Sequence, residues 1–144
     1  MKDYDLDRFV EAQDAGATYE HALEELRRGR KAGHWMWFVF PQLAGLGQSA
    51  TSRRYAISSL EEARAYLAHP VLGARLRECA EAVATSPAAD AEELLGVVDA
   101  LKLRSSMTLF RAAAPEEAVF ASVLDRYFHG EPDPLSERLL ASAG

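Results

Sequence analysis

Cysteine is almost absent from this 144-residue chain. The single one, Cys79, cannot close an internal disulfide, so packing alone must hold the fold. Cys79 falls on a helical apolar stripe with no cationic neighbour in sequence, which reads as a small core residue in a reducing compartment rather than a reactive thiol. Long hydrophobic runs are also missing. The longest, Trp35 to Pro41, is far short of the roughly 20 residues of a membrane helix, and the polar start Met1-Lys2-Asp3-Tyr4 does not read as an export signal. The expected location is cytoplasmic, with no membrane partner. Nor is there a surplus of positive charge: sixteen Lys and Arg are scattered among twenty-two Asp and Glu, for a net charge of −6. No basic stripe is left for a phosphate backbone, which disfavours non-specific nucleic-acid binding.

Motifs of established chemistry are lacking as well. There is no G-x-S-x-G, H-E-x-x-H, C-x-x-C or G-x-x-x-x-G-K-[ST], so a triad hydrolase, a zinc site and a P-loop have no signature here. His21, His34, His69 and His129 show no metal-ligand spacing, so no metal is expected and the cofactor stays unknown.

What is present is helical patterning in a chain that is 49% hydrophobic, enough for one core. Asp5 is placed to cap a first helix ended by Gly16, and Thr18 a second whose stripe is Tyr19, Ala22, Leu23 and Leu26, with Gly33 past its end. Ser59 with Glu62 makes a capping box, Pro70 opens a helix carrying Leu72, Leu76, Cys79, Ala80 and Val83, and Asp90 and Gly96 bracket a short one. Asp99 is placed to cap Ala100 to Phe110, whose apolar residues point around most of the cylinder, as in a helix enclosed by others. Pro115 and Pro134 open the last two. The predicted fold is all-α: a single multihelical domain over residues 1–144, of about seven or eight helices with buried central helices.

Three segments are candidates for chemistry. His34 to Gln42 holds two tryptophans and two phenylalanines. They are either core, since aromatics bury large areas, or the wall of a pocket in which Trp35 or Trp37 stacks on a flat ring, with His34 and Gln42 at its rim. Lys102-Leu103-Arg104-Ser105-Ser106 puts two cations and two hydroxyls on the predicted central helix; buried cations need a carboxylate, solvent or an anionic ligand. Gly45 to Arg54 superficially matches a dinucleotide fingerprint but lacks the second strand that fold requires. Small residues with Ser49, Arg53 and Arg54 are either a phosphate cradle or a capped turn with solvated arginines.

Together with Asp7-Arg8-Phe9-Val10-Glu11-Ala12-Gln13, Tyr55-Ala56-Ile57 and Tyr66-Leu67-Ala68-His69-Pro70, the segments His34-Trp35-Met36-Trp37-Phe38, Phe40-Pro41-Gln42 and Leu101 to Phe110 resemble the domain of unknown function 1810 family, also called the Rv1873-like superfamily. The resemblance covers nearly the whole chain and implies a multihelical fold with buried central helices. It brings no catalytic residues. Some members are labelled calpastatin, but this chain shows neither the disorder nor the repeats of that inhibitor.

Two functional readings follow from the residues. In the first, a nucleotide or ADP-ribose-like anionic small molecule binds in an aromatic and basic pocket, and is processed there if His34 serves as acid or base. Trp35 or Trp37 stacks on the base, Lys102 with Arg53 or Arg104 meets phosphate, and Ser105, Ser106 and Gln42 meet a ribose. In the second, the aromatic segment is core and the exposed helices bind a protein partner of unknown identity. The first requires the aromatic segment and the Lys102 helix to meet around an open space.

Overall fold

A computed structural model describes residues 4–143; Met1, Lys2 and Asp3 of the polar start, and Gly144, lie outside the described residues. The chain is helical throughout, in the order α1 (Asp7–Asp14), α2 (Thr18–Arg28), α3 (Met36–Val39), α4 (Ala50–Arg54), α5 (Leu60–Ala68), α6 (Leu72–Ala84), α7 (Ala91–Leu95), α8 (Val97–Ala113), α9 (Ala118–Phe128) and α10 (Pro134–Ala143). Among the described residues no strand forms. A single parallel bridge, Leu43 to Ile57, ties the loop after α3 to the segment between α4 and α5, with Ile57 N–H donating to Gln42 O at 2.8 Å. The short helix expected between Asp90 and Gly96 is α7, and α3 and α4 are two more of only four and five residues.

The long helices follow their apolar stripes. Tyr19, Ala22, Leu23 and Leu26 of α2 are all buried, as are Leu72, Leu76, Cys79, Ala80 and Val83 of α6. Burial pushes the Cys79 thiol up to about 12, which keeps it protonated and unreactive at neutral pH. Helix α8 runs through the middle, packed on α5, α7, α9 and α10; Leu103 and every residue from Ser105 to Phe110 are buried.

Several helix starts differ from expectation. Asp5 does not cap α1, which begins after Leu6 with no side-chain cap. Thr18 is the first residue of α2 rather than its cap, and α2 ends at Gly29 (φ +90°), not Gly33. His69, rather than a proline at the first position, opens α6: its Nδ1 accepts the N–H of Val71 and Leu72 at 3.1 and 3.2 Å. Asp99 lies inside the first turn of α8, which begins at Val97. Freed from capping, its carboxylate is available to side chains from elsewhere.

Candidate functional site

The Glu25 carboxylate shapes the path from α2 to α3. Its Oε1 accepts the N–H of Ala32 at 2.6 Å, the N–H of Gly33 at 2.8 Å and the indole N–H of Trp35 at 2.9 Å. Burial opposes ionisation of Glu25, but these hydrogen bonds outweigh it and hold the carboxyl below the usual range. Gly33 lets the loop pass close to the indole, since a Cβ there would stand 3.0 Å from the Trp35 ring. Lys31 is tied by its N–H to Leu94 O at 2.7 Å and by its Nζ to Gly33 O at 2.5 Å. With the loop pinned in this way, the short helix α3 turns Trp35, Met36, Val39 and Phe40 inward and leaves Trp37 and Phe38 half-buried at the surface.

Opposite this loop stands the first turn of α8. Asp99 receives Lys31 Nζ on Oδ2 at 2.8 Å and Lys102 Nζ on Oδ1 at 3.0 Å. Burial disfavours the Asp99 charge, yet the two ammonium groups hold the carboxyl below the ordinary range. Lys102 Nζ also lies 4.3 Å from the Trp37 ring centroid, and Lys31 Nζ 5.2 Å from that of Trp35, both within cation–π range. Around them opens a cleft of about 470 Å³, lined by Lys31, His34 and Met36 to Phe38 on one side, Ser49 and Thr51 on another, and Asp99 and Lys102 on the third. His34 is exposed and has no hydrogen-bond partner among the described residues. Trp37 also lines a smaller niche of about 130 Å³ together with Gln42, the loop Leu43 to Gly47, Ser52, Arg53 and Ala56.

The candidates therefore divide. His34, Trp37, Ser49 and Lys102 meet in the cleft; Gln42 and Arg53 meet Trp37 in the niche. Ser49 at the same time caps α4, accepting Ser52 N–H at 3.1 Å. Trp35 is a correction: at 2% exposure it is core, and no flat ligand can stack on it. Arg104 is another. Its Nε donates to Glu131 O at 3.0 Å and its Nη2 lies 3.6 Å from Glu131 Oε2, and it lines neither opening. Ser105 and Ser106 are buried in α8 and line neither; Ser105 Oγ bonds back to Leu101 O at 3.2 Å. The cause is helical phase: Lys102 and Asp99 share a face three residues apart, whereas Arg104 and Ser105 point elsewhere. Lys31 and Asp99 were missed by the sequence reading. The Asp99 to Lys102 spacing was a readable signal of an ion pair, while nothing in sequence joined Lys31 to either.

The arrangement defines a small all-helical protein with an aromatic and basic cleft. Among the described residues no group of His, Cys, Asp and Glu could hold a metal ion, and no helix is long and apolar enough to cross a membrane. Residues 3–140 match the family described as Protein of unknown function (DUF1810), and the chain belongs to that family. It is similar to the conserved hypothetical protein Rv1873 from Mycobacterium tuberculosis: the crystal structure of that protein is 52% identical in sequence, superposes with a TM-score of 0.92, and matches over 96% of this chain and 97% of its own. No curated protein matches.

Proposed function

We propose that the cleft binds an anionic small molecule of the nucleotide or ADP-ribose class. The observation that carries this reading is the meeting of Lys31, Trp37, His34 and Lys102 from separate stretches of chain around about 470 Å³ of open space. That volume lies in the range of small-molecule sites. In a chain of net charge −6, two ammonium groups against one carboxylate make a local positive centre. A phosphate entering the cleft competes with Asp99 for Lys31 and Lys102, whose flexible stems allow the exchange. Lys102 covers one face of Trp37, so a base or ribose packs on the indole only as that ammonium swings toward phosphate. His34, free of internal partners, is the group placed to exchange a proton with the ligand.

Calorimetry and thermal shift with ADP-ribose, NAD, AMP and inorganic pyrophosphate test the reading. Binding is expected for at least one of them, weakened roughly tenfold in Lys102→Met, the loss of one charge-assisted hydrogen bond. Silence from the whole panel with folded protein defeats the reading. One observation favours the alternative, a non-catalytic protein-interaction module: Val97, Val98 and Leu101 at the start of α8 are exposed apolar side chains, a feature seen at contact surfaces.

A further inference from the structure

The niche beside the cleft contains an anomaly that the cleft does not explain. Gln42 is 5% exposed, and its Nε2 is buried without any hydrogen-bond partner. Buried amides ordinarily find partners, because desolvation without compensation is costly. Gln42 is one of the residues that line an opening of about 130 Å³. One water takes roughly 30 Å³ in the liquid, so a group of several heavy atoms fits. Arg53 lines the same niche, is exposed, and has no ion-pair partner among the described residues. Gly47 keeps the space narrow and fixed: a Cβ there would stand 2.5 Å from Ser52 Oγ and 3.2 Å from the edge of the Trp37 ring. The backbone at and just after Gln42 is pinned: Ile57 N–H donates to Gln42 O and Ala44 N–H to Ile57 O, both at 2.8 Å.

We infer that this niche is a separate binding site for a small carboxylate, taken by the Gln42 amide N–H at its buried end and by the Arg53 guanidinium at its mouth, with Trp37 and Leu43 as apolar walls. A planar carboxylate supplies the acceptor that Gln42 Nε2 lacks and the charge that Arg53 lacks. The inference does not rest on the phosphate reading of the cleft, because Lys31, Asp99 and Lys102 do not line the niche.

The test is a titration of the full chain with sodium acetate at constant ionic strength, followed by the side-chain amide signals of Gln42, the backbone amide of Gly47 and the indole N–H of Trp37. Saturable shifts of all three are expected. Gln42→Leu removes an unpaired amide from the interior, so it is expected to fold at least as stably as the parent and to bind acetate roughly tenfold more weakly or worse. Arg53→Ala, an exposed change without native partners, weakens binding severalfold and guards against a failure of the first variant to fold. No saturable shift, acetamide binding as tightly as acetate, or equal affinity in parent and Arg53→Ala overturns the assignment.

Discussion

Arg8 and Lys102 are both cations beside a carboxylate, and the two sites they make are of different kinds. Every direction of the Arg8 guanidinium is taken. Nε donates to Arg54 O at 2.8 Å, Nη1 to Tyr4 O and Asp5 O, and Nη2 to Ala56 O at 2.8 Å and Glu62 Oε2 at 3.0 Å. Glu62 is buried and in turn accepts the N–H and hydroxyl of Ser58, each at 2.8 Å. Arg126 behaves likewise: it donates to the carbonyls of Val83, Ala84, Ser86 and Ala88, at and beyond the end of α6, where helix carbonyls lack internal partners. Lys102 and Lys31 instead share one carboxylate at the edge of open space. A cation enclosed by carbonyls is fixed as part of the scaffold; Lys102, which leans on the single carboxylate of Asp99, can turn to a ligand, whereas Lys31 is held by Gly33 O as well.

Removing a carboxylate from each cluster should separate the two most widely. Glu62→Ala leaves the largely buried Arg8 guanidinium without its counter-charge, and a loss of about 3–5 kcal/mol in urea unfolding is expected. A loss under about 1 kcal/mol would place the Arg8 cluster with the surface pairs and erase the distinction.

The two tryptophans sharpen the same contrast one step down. Trp35→Ala empties a fully packed site and orphans one bond of Glu25, so about 3–5 kcal/mol is expected. Trp37→Ala, at a half-buried position on the cleft wall, should cost less than half of that roughly 3–5 kcal/mol and should change the tryptophan fluorescence response to ligand instead. Equal losses in denaturant would make Trp37 core and close the cleft as a site.

How far these roles can be read from sequence depends on the distance over which each is determined. The stripes of α2 and α6 and the caps Ser59 and Asp90 are local, and the structure keeps them: Ser59 Oγ accepts Glu62 N–H at 3.1 Å and Asp90 Oδ1 accepts Glu93 N–H at 2.8 Å. The reach of Glu62 to Ser58 instead of Ser59 N–H already departs from the reciprocal box, because Arg8, 54 residues away, draws on the same carboxylate. The meeting of the aromatic segment with Lys102 was legible as a requirement, whereas the identity of the third partner, Asp99, was hidden by its resemblance to a helix cap. Trp35 and Trp37 are indistinguishable by composition. Only the phase of the four-residue helix α3, set by Glu25 through three hydrogen bonds, decides which indole faces the core.

The smallest expected effect in stability, and the one most informative about the cleft, comes from Asp99→Asn. Asp99 and Glu25 both have carboxyls held below their ordinary range. Each therefore contributes stability that is present above the unfolded value of about 4 and is lost as pH falls through the lower folded value. Asparagine at position 99 should cost about 1 kcal/mol at pH 7, because its amide oxygen still accepts from one ammonium and Lys31 keeps its bond to Gly33 O. It should also make the acid limb of the stability curve below about pH 4 shallower, with Glu25 and the Arg77-bound Glu117 left as contributors. In the cleft the balance changes from two cations against one carboxylate to two against none, so pyrophosphate should bind severalfold more tightly than to the parent. Weaker pyrophosphate binding in this variant would mean that Asp99 holds the lysines in the binding geometry. An unchanged affinity with an unchanged acid limb would return Lys31 and Lys102 to the class of enclosed, purely structural cations.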